Sequence, residues 1–271
     1  MVRILHAADF HLDSAFTGLN EQQARQRRQE SRDLTRRMVE YANDHGVQLM
    51  LLAGDLFDSD SIYGQTAEEL AAALAEFRGH VVIAPGNHDC YTAASPYART
   101  LWPDNVLIFT APEMLSMGLS FPQYGCTVYG AAFTAPEMPE SAELAGIAEQ
   151  DGNVAIGILH GEAGVKDSRY RPIPLQQIAQ KLIPSVVCIQ NYQQSYQGGF
   201  GQSAGLQEAA LRHFPNHLRH FSPSPCAFLP SRQIHLKSIR PKMLAFCAFS
   251  PAVVPNFGGK LPHKIQLVAQ T

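Results

Sequence analysis

Three apolar runs set the rhythm of the first part of the chain: VRILHAAD (Val2 to Asp9), VQLMLLAGD (Val47 to Asp55) and HVVIAPGN (His80 to Asn87). In each, apolar residues fall on both faces instead of alternating, and a glycine or polar residue closes the run, the mark of strands buried on both sides. Between the first two lies Asn20 to His45, rich in Arg and Gln, with Leu34, Met38, Val39 and Tyr41 at helical spacing and Gly46 as a stop. Between the next two lies TAEELAAALAEFRG, where Thr66 and Glu69 have the spacing of a capping box and Gly79 ends the helix. The pattern predicts β-α-β-α-β.

Further strands are predicted at NVLIF (Asn105 to Phe109), CTVYGAAF (Cys126 to Phe133) and NVAIGILHG (Asn153 to Gly161), with a helix over Ala142 to Gln150. After Gln180 the periodicity fades into Gln-rich sequence and a stretch scattered with Pro, His and Ser, where Gln207 to His213 is the one further candidate element. The expected organisation is an α/β domain over 1–180 followed by an irregular tail over 181–271.

Charge sharpens that division. Residues 1–180 hold 12 Lys/Arg against 23 Asp/Glu, whereas residues 181–271 hold 9 against one acid, Glu208. The five cysteines are widely spaced and form no CxxC pair, against both a disulfide framework and a thiolate zinc site. No apolar run approaches a membrane span, and MVRILHAADF reads into a strand without a signal-peptide core, so a cytoplasmic protein with no membrane partner is expected.

Four of the predicted strands end in residues that ligate metals: Asp9 and His11 in DFH, Asp55 and Asp58 in GDLFD, Asn87, His88 and Asp89 in GNHD, and His160 in LHGE. The carboxyl ends of parallel strands share one edge of an open α/β sheet, so residues far apart in sequence can meet in one crevice. Asp and His suit Mn2+, Fe2+ or Zn2+, and a carboxylate can bridge two ions. Two cations about 3.5–4 Å apart serve phosphate-ester hydrolysis by holding the reacting oxygens and lowering the pKa of water. Asn87 would supply a neutral oxygen, limiting the negative charge of the ligand set. His88 is expected to face the leaving group as a general acid or charge stabiliser, with Asp89 orienting its ring. Singly, each piece has an ordinary reading: an Asp-capped turn, a Gly-Asn turn, a hydrogen-bonded core histidine. Their joint order, each after a strand, carries the metal-site reading.

The order DxH, GDxxD, GNHD and a later His resembles the calcineurin-like metallophosphoesterases. More narrowly, HAADFHLDSAF, LLAGDLFD, APGNHD and GILHGEAG are similar to the SbcD-type DNA repair exonucleases, particularly their YhaO-like bacterial branch. The likeness covers about 2–180. It implies an α/β/β/α four-layer sandwich, with Asp9, His11, Asp55, Asn87 and His160 as metal ligands, Asp55 as the bridge, Asp58 in support and His88 as the catalytic histidine. It also implies two divalent ions, with Mn2+ preferred to Fe2+, Zn2+ or Mg2+. DNA is the implied substrate, with an SbcC-like ATPase and a second copy of the chain as partners. A phosphatase or cyclic-nucleotide phosphodiesterase, and a non-catalytic subunit binding DNA or an ATPase, are the rival readings.

One departure from the family pattern matters. A Gly-His-x-His element is expected a few dozen residues after the LHG strand, but QQIAQKLIPSVVCIQNYQQ stands there and no GHxH occurs in the chain. The later histidines, His213, His217, His220, His235 and His263, have other spacings. Three explanations compete: a basic extension that holds nucleic acid, a divergent subunit with an incomplete site, and a change of reading frame near Lys181. The last is favoured, because the acids and the periodicity are lost where the resemblance stops, and out-of-frame sequence has no reason to keep a structural period. It leads to the expectation that sheet edges are exposed.

Overall fold

The computed structural model describes residues 2–59, 64–114, 118–141, 144, 153–174 and 176–177, together with the backbone strands 186–192, 237–239, 245–249 and 266–270. Two sheets face each other. The first has the order β11-β13-β1-β2-β3-β4 and the second β12-β10-β7-β6-β5, with a small β8-β9 pair beside them. In the first sheet these are β1 (Arg3–Ala7), β2 (Leu49–Leu52), β3 (His80–Ile83), β4 (Val106–Ile108), β11 (Lys237–Ile239) and β13 (Gln266–Gln270). In the second they are β5 (Leu119–Phe121), β6 (Cys126–Gly130), β7 (Val154–His160), β10 (Val186–Tyr192) and β12 (Ala245–Phe249), and the pair is β8 (Glu162–Ala163) with β9 (Pro172–Ile173).

The unbroken apolar runs have the expected cause. All four side chains of β2 are buried, and they divide by parity. Met50 and Leu52 join a cluster with Met38, Val39, Leu70 and Leu74 of α1 (Glu21–Asp44) and α2 (Gly64–Ala75). Leu49 and Leu51 join Ile4 and Val82 against Val128, Ile156 and Ile158 of the second sheet. A strand covered by helices on one face and a sheet on the other has no solvated side, so period-two alternation is erased.

Helix α1 begins at Glu21, one residue into the stretch expected to be helical, and Asn20 caps it. The Asn20 side chain accepts from the Gln23 backbone N–H at 2.9 Å, and the Asn20 N–H donates to Gln23 Oε1 at 3.2 Å. The capping box expected at Thr66 does not form. Thr66 lies buried inside α2, which starts at Gly64, so its hydroxyl faces the packed interior and not the helix end. The short helix α3 (Pro96–Arg99) follows GNHD, and periodicity does not reveal it because it is a single turn.

The helix expected over 142–150 lies outside the described residues apart from Leu144, and the candidate at 207–213 lies wholly outside them. Beyond residue 180 the structure places four strands that the fading periodicity does not predict. β10 runs parallel to β7 with Gln190 opposite His160, and β13 runs antiparallel to β1 with Ala269 opposite Arg3. The outer edges of β1 and β7 are therefore paired, contrary to the expected exposure. Backbone pairing to an existing edge requires N–H and C=O groups but no side-chain period, which is why the sequence pattern misses it. Among the described residues, no helix is long and apolar enough to cross a membrane.

Candidate metal centre

Two loops assemble the site by continuing the β1–β2 pairing past the strand ends. The Asp9 N–H donates to Gly54 O at 3.1 Å, that of His11 to Asp55 O at 3.0 Å, that of Leu12 to Leu56 O at 2.9 Å, and that of Asp58 back to Leu12 O at 3.0 Å. This ladder holds unusual backbone. Asp9 (φ 55°), His11 (φ 44°) and Asp55 (φ 52°) all lie in the left-handed region, which non-glycine residues rarely occupy. Such conformations cost about 1–3 kcal/mol each and persist where surrounding structure fixes them, typically at functional sites.

The glycines of the motifs make room for the ligands. A Cβ on Gly54 would fall 2.5 Å from His160 Nδ1, and one on Gly86 would fall 2.2 Å from Asp55 Oδ1. Hence GD and GN: the backbone must pass within contact of the carboxylate and imidazole it serves.

His160 arrives from the other sheet, at the end of β7, and is fully buried. Its Nδ1 sits 3.0 Å from Ala53 O, so that nitrogen carries the proton and donates. In the neutral ring Nε2 is then a lone pair, 3.1 Å from Asn87 Oδ1 and 3.4 Å from Asp55 Oδ2. Three acceptors facing one another require a positive charge. Burial opposes protonation of His160, but Asp55, Asp9 and the Ala53 carbonyl outweigh it and raise its pKa. A proton supplies that charge in the absence of metal, and a cation can take its place.

His11 repeats the arrangement. Its Nδ1 lies 3.1 Å from Asp58 Oδ1, and its Nε2 lies 3.9 Å from Asp55 Oδ2. Burial works to lower its pKa, yet the hydrogen bond to Asp58 and the charges of Asp55 and Asp9 carry it up to about 9. Asp9 is shifted toward its neutral form: burial pushes its pKa up to about 6, with His160 opposing and Asp55 adding to the rise.

Two donor groups result, Asp9–Asp55–His160 and His11–Asp55–His88, each with its ligand atoms within 4.8 Å of one another. Asp55 belongs to both. Its Oδ2 is buried without a hydrogen-bond partner, whereas its Oδ1 accepts from the His88 backbone N–H at 3.1 Å. A buried carboxylate oxygen lacking a donor is costly unless a cation lies against it. The mixed oxygen and nitrogen donors suit a borderline divalent ion. The residues present thus fit the pair of ions that the sequence implies.

Of the sequence-derived candidates, Asp9, His11, Asp55, Asn87, His88 and His160 converge, and Asp58 stands behind them. Asp89 does not take the position expected of it. Its carboxylate is fully buried and accepts from the backbone N–H groups of Gly86 (2.7 Å), Asp55 (3.2 Å), Leu56 (2.7 Å) and Phe57 (3.1 Å), and from the Tyr97 hydroxyl (2.5 Å). With both oxygens so occupied, Asp89 clamps backbone and does not orient the His88 ring. The ring's Nδ1 lies instead 3.1 Å from the Asp58 carbonyl, to which it donates. One residue therefore steadies both histidines, Asp58 through its side chain on His11 and its carbonyl on His88. Tyr97 has no sequence signal, because only the fold brings α3 under the GNHD turn.

The calcineurin-like phosphoesterase family profile matches residues 2–138. A curated relative, the uncharacterized metallophosphoesterase YhaO of Bacillus subtilis (strain 168), is 31% identical over 165 residues, covering 58% of this chain and 40% of YhaO. The chain thus spans about 40% of that relative's length. A solved structure, TT1561 of Thermus thermophilus, aligns at 14% identity with a TM-score of 0.35, over 78% of this chain and 79% of that one. With the profile covering half the sequence and its motifs meeting at one shared carboxylate, the chain belongs to the calcineurin-like phosphoesterases.

Proposed function

We propose that the chain is a metal-dependent phosphodiester hydrolase that acts on DNA as an exonuclease of DNA repair. The observation that carries the reading is Asp55, common to two donor groups, with its buried Oδ2 accepting no hydrogen bond and facing the imidazoles of His160 and His11. Divalent ions, when bound, supply positive charge for the phosphoryl oxygens and activate water. Asp9, Asp55, Asn87 and His160 would hold one, and His11 and Asp55 the other, with Mn2+ the expected metal. His88, whose Nδ1–H donates to Asp58 O, would give a proton from Nε2 to the departing oxygen as the imidazolium, returning to the neutral ring with Nδ1 still protonated.

DNA specificity rests on the likeness to SbcD-type exonucleases. The arginines of α1 give it limited support, since four of the six pair with acids: Arg25 with Glu21, Arg27 with Glu30, Arg32 with Asp13 and Arg36 with Asp33. DNA contact would therefore fall to the metal site and to partners, an SbcC-like ATPase and a second copy of the chain. The acidity of residues 1–180, 12 Lys/Arg against 23 Asp/Glu, favours a second reading, hydrolysis of a small phosphoester or cyclic nucleotide. The test is Mn2+-supplemented protein on end-labelled linear duplex, single-stranded DNA and bis-p-nitrophenyl phosphate. Progressive shortening of DNA supports the exonuclease, and cleavage of the aryl diester alone selects the second reading.

A further inference from the structure

The segment after GNHD carries a group that neither the motifs nor the family profile assigns. Tyr97 lies on α3, buried, with its ring edge-on to Phe57 at 5.6 Å and stacked on Trp102 at 6.0 Å. The Trp102 indole N–H donates to the Tyr97 carbonyl at 3.0 Å, fixing the turn from below. The hydroxyl therefore has one place to go, and it donates to Asp89 Oδ2 at 2.5 Å.

Asp89 in turn receives the backbone N–H groups of Asp55, Leu56 and Phe57 on one loop and of Gly86 on the other. These amides flank the left-handed Asp55 and the Gly86 whose missing Cβ admits Asp55 Oδ1. The direction of the bridging carboxylate is thus set by where Asp89 sits. Asp89 has four donors from the backbone it holds and, among the described contacts, one from outside that unit, the Tyr97 phenol. The phenol is a dependable donor, because burial and the Asp89 charge keep it protonated.

We infer that Tyr97 is a positioning residue for the metal centre: through Asp89 its hydroxyl fixes the Asp55 loop, and so sets the affinity with which Asp55 binds a divalent cation. The inference rests on the metal-site reading above. Groups behind ligating residues typically change metal affinity by about 10–100-fold when removed, without contacting the ion.

The test compares the full chain with Tyr97→Phe, which deletes only the hydroxyl that donates to Asp89, and with Tyr124→Phe, which deletes a phenol hydroxyl that bonds His80 instead. Each is titrated with Mn2+ by calorimetry and melted without metal. Tyr97→Phe is expected to stay folded and weaken Mn2+ binding about tenfold, while Tyr124→Phe stays within about twofold of the parent chain. Unchanged Mn2+ affinity in Tyr97→Phe, with or without a lower melting midpoint, would overturn the inference and leave the metal-site reading standing. Absence of Mn2+ binding to the parent chain would overturn both.

Discussion

His160 Nε2 and Asn87 Oδ1 lie 3.1 Å apart, though 73 positions separate the two residues in sequence, with His160 ending β7 of one sheet and Asn87 on the loop after β3 of the other. Both present lone pairs once His160 Nδ1 donates to Ala53 O. Removing one partner should therefore weaken cation binding and not merely packing. His160→Gln is expected to weaken Mn2+ binding at least about tenfold by calorimetry and to lower phosphodiester hydrolysis on the order of 10²-fold or more. Parent-like Mn2+ affinity in this variant would mean that the ring is only a buried hydrogen-bonding group.

His88 is assigned to proton donation. His88→Ala should cost about 10²–10⁴ in turnover on a diester with a poor leaving group. The loss should shrink for a nitrophenyl leaving group, which departs without a proton. Equal losses on both substrates, accompanied by loss of Mn2+, would place His88 among the ligands instead.

Asp89→Asn tests the clamp. An amide offers one acceptor oxygen where the carboxylate serves five donors, and its NH2 would face N–H groups. A stability loss of about 3 kcal/mol is expected from urea denaturation, in the range for leaving buried donors unpaired. A loss below about 0.5 kcal/mol would show that these contacts are not what fixes the loops.

The metal-free protein should become less stable as pH rises from about 6.5 to about 9. Burial alone would lower the His11 pKa, but Asp58, Asp55 and Asp9 hold it at about 9 against an ordinary 6.5. Its stabilisation is complete below the unfolded value and is lost as pH passes the folded one. His160, also raised, acts in the same direction. Mn2+ competes for the same lone pairs, so its stabilising shift of the melting midpoint should grow across that window. A metal-free midpoint that stays level or rises over the same pH range would contradict this charge assignment.

The strand-end ligands were legible because buried parallel strands leave plain apolar runs, and chemistry at their carboxyl ends stands out against them. Strand ends offer Asp9, His11, Asp55, Asp58, Asn87, His88, Asp89 and His160 as candidates, and the choice of Asp9, His11, Asp55, Asn87 and His160 as ligands comes from the family resemblance. The helix over Asn20 to His45 is legible from its period and its Gly46 stop, whereas the capping box read at Thr66 does not form. Asp89 was misplaced because adjacency to His88 suggested a contact, whereas the turn sends its carboxylate inward to the amides of residues 55–57. Tyr97 and the strands past residue 180 were not legible: one acts through a tertiary hydrogen bond, and the others pair by backbone. The missing Gly-His-x-His is a separate matter of sequence. If the frame changes near Lys181, resequencing the gene across the codons for Gln180 to Tyr196 will reveal an alternative frame encoding that element, and an unbroken single frame would rule this explanation out.

Anomalous diffraction from crystals soaked in Mn2+ tests the central claim most directly. Two peaks about 3.5–4 Å apart, both in contact with the Asp55 carboxylate, are predicted. Peaks remote from Asp55, or none near it at millimolar Mn2+, would contradict the account.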